Sequence, residues 1–326
     1  VHHKSKSKES KISQMISDNR IRKMSSKDME LLRRLGGEVC ECASSIENLE
    51  KINKAKKINS LHGDEPLIFT SPEGAWREII PETSIECVHP WARDWERQLK
   101  MSIFQHREIR CDRSIYPFLQ IPWQISDDGW GIQIHKKDVT VDGGSFGWRD
   151  YPIKNIEKDI EKLIFRNYSV DRELTFEMIS AAEKVLGGIL PVRKWNETYW
   201  WTVGLTIDAI NFVGLENLMI MLFNQAEGVH RLMAFLRDEK INMIEWCERE
   251  GILHDNSIND NIGSGGPGHV EGLSDPAKLK GDPVRLKEIW GFAESQETVG
   301  ISPNMFDEFI FPYQLPILER FGMNYY

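Results

Sequence analysis

The chain has 326 residues, of which 40% are hydrophobic and 10% aromatic, enough for a large buried core and too much for a disordered chain. Its formal net charge of −9 gives a surface that repels phosphate backbones, which argues against a general nucleic-acid binder.

The first dozen residues are polar, with Lys4, Lys6, Lys8 and Lys11 but no apolar stretch of the kind a secretory signal needs. From about residue 12 to 58 the pattern is helical. Ile12, Met15 and Ile16 share a face, and Met29, Leu31, Leu32 and Leu35 follow. Gly36-Gly37 is expected to break the run. The lysines and arginines opposite read as a solvated face rather than a docking helix. Residues 1–60 are expected to be an N-terminal helical extension, either a cap on the main domain or a homodimer contact. The five cysteines, Cys40, Cys42, Cys87, Cys111 and Cys247, are odd in number and irregular in spacing. They offer no disulfide framework, so a reducing, cytoplasmic setting is expected.

Residues 61–326 are expected to form the main domain. Pro66, Pro72 and Pro81 punctuate a strand, loop and turn over 65–84. Residues 91–104 read as a helix. Residues 111–123 read as a strand, carrying Ile115, Tyr116, Phe118 and Ile121. A strand pair is expected over 130–141 and a helix over 153–165. A further helix over 172–186 stops at Gly187-Gly188. A short strand comes next at 189–195, then apolar-faced helices at 215–223 and 229–246. The most apolar stretch, 218–223, is far too short to cross a bilayer. A strand at 257–262 leads into the Gly-rich loop 263–268, and residues 285–292 read as a short helical or extended piece. Ser302 and Pro303 sit as N-cap and first residue of a helix that Pro312 and Pro316 should kink. Another strand begins near Tyr325-Tyr326. Strand and helix alternate after residue 110, which favours a parallel α/β sheet, barrel or doubly wound, with its chemistry at the C-terminal strand ends.

Three constellations could carry chemistry, two of them after strands and the third, at 294–297, just before the capped helix. Asn259-Asp260-Asn261 closes a strand, where Asp260 is a candidate base or oxygen ligand between two amides. The glycines after it lack the ending of a phosphate loop, and Pro267 spoils a dinucleotide fingerprint. Glu294-Ser295-Gln296-Glu297 offers paired carboxylates for acid/base work or a metal. Trp195, Tyr199, Trp200 and Trp201 follow a strand and could line the mouth of a pocket, or pack in the core. The nine histidines show no ligand spacing, and no G-x-S-x-G elbow is present.

The segment from Ile301-Ser302-Pro303-Asn304-Met305-Phe306-Asp307-Glu308-Phe309 to Pro312-Tyr313 resembles a signature of the uroporphyrinogen decarboxylase superfamily. Gly214-Leu215-Glu216, the helix from Val229 to Gly251, and the Asn259-Asp260-Asn261 strand end agree with it. The resemblance covers roughly residues 110–326 and implies a TIM (β/α)8 barrel with its pocket at the C-terminal face. Phe118-Leu119-Gln120-Ile121-Pro122-Trp123 stands where true decarboxylases carry an arginine-rich motif. The resemblance therefore implies the branch of zinc-dependent methyltransferases that act on corrinoids. The expected activity is methyl transfer between cobalamin, free or on a corrinoid protein, and a small donor or acceptor. The implied catalytic residues are Asp260 and Glu294, and the implied substrate contacts are Asn259, Asn261, Gln296, Trp201, Tyr313 and Trp123. Zinc is implied, with ligands expected beyond the C-terminal residue, so the chain is expected to cover only part of the barrel. The alternative is a decarboxylase or lyase on a carboxylated substrate, for which Arg113 and Arg193 are the candidate cations.

Overall fold

In the computed structural model the described residues are 23–138, 146–196, 204–257, 266–273 and 283–326, with backbone alone at 135–138 and 146–150. The principal helices are Ser26–Ala43 (α1), Ile46–Asn59 (α2), Pro90–Arg107 (α3), Arg172–Leu186 (α4), Leu205–Val213 (α5), Leu215–Asn224 (α6), Ala226–Arg249 (α7), Pro303–Phe309 (α8) and Phe311–Leu318 (α9). The strands are Leu119–Pro122 (β1), Gln124–Asp127 (β2), His135–Asp138 (β3), Phe146–Asp150 (β4), Tyr168–Asp171 (β5), Val192–Trp195 (β6), Trp290–Phe292 (β7) and Met323–Tyr325 (β8). The fold is mixed α/β. Among the described residues the strands pair two by two, β1 with β6, β2 with β5, β3 with β4 and β7 with β8, and no closed barrel forms. Two of these pairs, β2–β5 and β3–β4, are antiparallel, and β7–β8 is parallel. The Leu119 amide donates to the Pro191 carbonyl and the Trp123 amide to the Trp195 carbonyl, both at 2.8 Å, so β1 and β6 also run parallel, and the expected parallel order holds for two of the four pairs.

The chain gathers into two compact units. The first comprises the described residues up to Lys54, Pro66–Ile121 and Glu173–Lys194; the second comprises Ala55–Glu65, Pro122–Arg172 and Trp195–Tyr326.

In the first unit, Ser25 caps α1 by accepting a hydrogen bond from the Asp28 amide at 3.0 Å. The Asp28 carboxylate accepts from the amides of Val88 and His89, both at 3.2 Å, and so ties the cap to the chain entering α3. Leu32, Leu35 and Val39 form one face of α1 and share a core with Trp95 and Leu99 of α3 and Val185 and Leu186 of α4. Each such buried aliphatic side chain stabilises the fold by about 1.5–3 kcal/mol. The expected break at Gly36-Gly37 does not occur. The helix runs through both and ends at Ala43. Gly36 marks the close approach of α1 to α4, since a Cβ there would lie 2.7 Å from Leu186 Cδ2. The strand expected over 111–123 is confined to β1. Upstream of it, side chains take the place of a ladder: the Ile115 amide donates to Asn48 Oδ1 at 2.9 Å, and Asp112 Oδ2 accepts from the Ile68 amide at 2.6 Å.

In the second unit, α5, α6 and α7 bury Phe212, Leu222, Leu232, Leu236 and Met243 in one core with Ile289, Phe309 and Ile317. Glu239 of α7 is fully buried and fully used. Arg166 grips it with two bonds of 2.7 and 2.9 Å, and the Tyr168 hydroxyl donates at 2.5 Å. The same guanidinium lies 3.9 Å over the Trp130 ring. No single helix among the described residues is long and apolar enough to cross a membrane; only α5 and α6 together pass that test, as a pair bent by 95°.

The end of the second unit is a strand–helix–strand repeat. Strand β7 pairs in parallel with β8, placing Trp290 opposite Met323 and Phe292 opposite Tyr325, and α8 and α9 make the crossover. Ser302 caps α8 as its sequence suggests, accepting from the Met305 amide at 3.3 Å. The expected kink is a full break at Ile310. Pro312 then sits in the first turn of α9, where its missing N–H costs nothing, and only Pro316 is internal. Gly291 in β7 has a packing reason: a Cβ would lie 2.5 Å from the Phe321 ring.

Candidate functional site

At the C-terminal ends of β7 and β8 lies an open cleft of about 620 Å³. Phe292, Glu294, Ser295, Gln296, Phe306 and Tyr326 supply its main chemistry. The location follows from the local topology, because the segments that follow parallel strands emerge at the same end. The loop leaving β7 lines one wall, and the capped start of α8 lines another.

A polar relay holds this loop. Ser295 Oγ lies 2.9 Å from the Tyr326 hydroxyl, which donates to Gln314 Oε1 at 3.0 Å. The Gln314 amide nitrogen donates in turn to the Glu294 carbonyl at 2.9 Å. Gln314 is completely buried on α9, so the crossover helix fixes the backbone of the loop. Thr298 closes the turn, its hydroxyl donating to the Ser295 carbonyl at 2.8 Å. The Tyr326 phenol is pushed up from its ordinary value by burial.

Glu294 and Glu297 stand in different environments. Glu297 accepts a hydrogen bond from Thr206 Oγ1 at 2.7 Å. The Glu294 carboxylate has no hydrogen-bond or ion-pair partner among the described residues. Its pKa is raised, first by burial and then by the negative charge of Glu297. A partnerless carboxyl held above its usual range in a cleft can give or take a proton.

Of the residues expected at the site, Glu294 and Gln296 line this cleft together, Gln296 at its exposed lip. Tyr313 does not line it. On α9 its hydroxyl meets His230 Nδ1 of α7 at 2.8 Å, and the Arg237 guanidinium lies 5.7 Å over its ring. Trp123 is buried in the core, and the Arg172 guanidinium lies 5.5 Å from its ring. Asn259, Asp260, Asn261 and Trp201 lie outside the described residues. Arg113 and Arg193 belong to the first unit. Arg193 sits 4.5 Å over the Phe118 ring.

The sequence reading missed a buried polar run directly before residue 258. His254, Asp255, Asn256 and Ser257 are all under 8% exposed. His254 stacks on Trp195 at 3.7 Å, and its Nδ1 accepts from the Asn196 amide at 3.0 Å, so the neutral ring carries its proton on Nε2. Asp255 Oδ1 accepts from the Ser257 amide and hydroxyl at 2.8 and 2.6 Å. The Asn256 side chain pairs with both backbone groups of Trp290, at 2.9 and 3.0 Å, and so extends β7 like a short strand. The signal was four consecutive polar residues following Ile252-Leu253. Burying them unpaired would be costly, so they had to be partnered. Gln314 was missed for a different reason: nothing in a helical pattern distinguishes a fully buried glutamine from a surface one.

Among the described residues, no three His, Cys, Asp or Glu side chains come together as a metal site. No protein-family model, no curated protein and no solved structure matches the chain.

Proposed function

We propose that the second unit carries the active site of a methyltransferase of the TIM-barrel type, moving a methyl group between a corrinoid and a small donor or acceptor. In this reading β7, α8, α9 and β8 are one repeat of such a barrel. The observation that carries it is Glu294: a carboxyl without a partner among the described residues, raised in pKa, in a cleft at the C-terminal ends of parallel strands. The resemblance of residues 301–313 to the uroporphyrinogen decarboxylase superfamily supplies the reaction class.

The corrinoid, free or on a partner protein, supplies the methyl group or accepts it. The protein handles the proton. With a methyl ether as donor, the C–O bond breaks, its electron pair stays on oxygen, and the Glu294 carboxyl donates its proton to that oxygen. With a thiol as acceptor, the Glu294 carboxylate would take the S–H proton as the S–C bond forms, while the corrinoid–methyl bond breaks and its electron pair stays with the corrinoid. Phe292 and Phe306 give the cleft apolar walls, and Gln296 stands at its lip for a polar substituent. The resemblance also implies zinc; the described residues bring no donor set together for it, and the proton steps above run without it.

The test is an absorbance assay on the whole chain with zinc, methylcobalamin and a panel of thiols, repeated with cob(I)alamin and methylated donors. The expected result is interconversion of the methylated and reduced corrinoid spectra, lost in Glu294→Gln. A flat trace with every pairing, or full activity in Glu294→Gln, would overturn the reading; turnover of a carboxylated substrate alone would replace it with the lyase alternative.

A further inference from the structure

A second cavity, of about 390 Å³, lies within the first unit. One side is a single face of α3. Asp94, Gln98, Met101 and Gln105 recur there at steps of four, three and four residues, which stacks them along one stripe. The facing wall is the extended segment from Arg113 to Gln120, with Trp76 closing an edge. A helix stripe that packs against extended chain is ordinarily apolar; this one is mostly polar and leaves open space.

Three features of the cavity point to an occupant. Gln105 is 4% exposed; its amide nitrogen donates to Cys111 Sγ at 3.3 Å, while its Oε1 is buried with no hydrogen-bond partner among the described residues. A buried acceptor left unmade is destabilising, and such groups recur where a ligand completes them. Arg113 is the second feature. It touches the Phe69 ring and Ser71 but has no carboxylate partner among the described residues, unlike Arg97, which is paired with Glu82 and Asp94. The third is the apolar wall made by Tyr116 and Phe118, whose ring centroids are 5.2 Å apart with planes inclined by 45°, together with Met101.

We propose that this cavity binds a small aromatic carboxylate bearing a hydrogen-bond donor on its ring. The carboxylate lies against Arg113, the ring against Tyr116 and Phe118, and the ring donor completes Gln105 Oε1. The volume is in the range of small-ligand pockets. The site is independent of the cleft beside Glu294, so either reading can fail without the other.

The test is calorimetric titration of the whole chain with 4-hydroxybenzoate, benzoate and inorganic phosphate, with Trp76 fluorescence as a local reporter. The expected result is binding of 4-hydroxybenzoate at least tenfold tighter than benzoate, and no heat from phosphate. Arg113→Ala should weaken both aromatic acids at least tenfold. Gln105→Leu should leave benzoate unchanged and erase the preference for the hydroxyl, while raising the melting temperature of the empty protein. Failure of 4-hydroxybenzoate to bind at millimolar concentration overturns the proposal, as does affinity unchanged in Arg113→Ala. Arg113 is only half-buried, so its variant keeps the test decisive even if Gln105→Leu does not fold.

Discussion

The side chain of Gln314, fully buried on α9, donates a 2.9 Å hydrogen bond to the backbone carbonyl of Glu294, the residue whose carboxyl occupies the cleft. A helix that never enters the site thereby sets the path of the loop that forms it. Replacing Gln314 by Leu leaves the Glu294 carbonyl and the Tyr326 hydroxyl without this partner. The expected loss is about 1–3 kcal/mol of stability. Urea denaturation should show a lower midpoint at unchanged slope. A midpoint equal to the wild type would mean the relay does not hold the loop.

Glu294 also makes a prediction in pH. Its folded pKa is raised, so the folded state holds this proton more tightly than the unfolded chain does. Its contribution to stability is full below the unfolded value, about 4.3, and is lost as pH rises through the folded one. Glu294→Gln should therefore be more stable than the wild type at pH 7 and nearly equal to it at pH 4. A difference that grows on acidification would contradict the burial of this group.

His269 behaves in the opposite sense. Burial, aided by the charge of Lys56, lowers its pKa to about 4. Between its ordinary value, about 6.5, and 4 the unfolded chain takes a proton that the folded one refuses. Stability should fall by roughly 2–3 kcal/mol across that window, and His269→Asn should flatten the fall. Melting temperatures measured in steps from pH 7 to pH 4 would show whether the two proteins converge at the acid end.

The thiols differ in access and acidity. Cys40 is exposed, whereas Cys42, Cys87, Cys111 and Cys247 are buried. Burial and the neighbouring Glu96 push the Cys87 thiol up to about 12, and burial pushes Cys247 up to about 11. Iodoacetamide at pH 8 should modify one cysteine rapidly in the folded protein and all five in denaturant. Peptide mapping that finds Cys87 or Cys247 labelled early would show those segments opening.

Adjacent glycines in α1 give a paired test. A Cβ at Gly37 meets nothing within 4 Å, so Gly37→Ala should gain about 1 kcal/mol from helix propensity. At Gly36 the same gain is opposed by the 2.7 Å approach to Leu186 Cδ2, a fully buried side chain that has to shift within the packed core. Gly37→Ala should raise the melting temperature and Gly36→Ala should not. Equal gains would mean that α1 and α4 are further apart.

These two glycines also show what could be read from the chain and what could not. Local signals were legible: α4 stops at Leu186 before Gly187-Gly188, and Ser302-Pro303 opens α8. Gly36-Gly37 carried the same letters as a helix stop, yet tertiary contact with α4 outweighed the propensity. Strand pairing was less legible still. The segments 124–127 and 168–171 pair antiparallel although they are separated by about 40 residues, and no periodicity encodes a partner. At the cleft, Glu294 and Gln296 were visible as a polar cluster just before the capped helix, but strand β7 ahead of them was not. Tyr313 was drawn in by its place in a motif and instead faces His230, because the break at Ile310 starts a new helix with its own phase.

The two units are assembled from interleaved stretches of chain, three to each. During synthesis the first unit has all its parts once Lys194 has left the ribosome. By then Ala55–Glu65 and Pro122–Arg172 have already emerged and await helices not yet made, among them α5 to α7. At about 5–20 residues per second, that wait lasts several seconds. Ile153, Ile156 and Ile160, all destined for the core of the second unit, lack these helices as partners throughout it. They are the surface on which a nascent chain would need a chaperone.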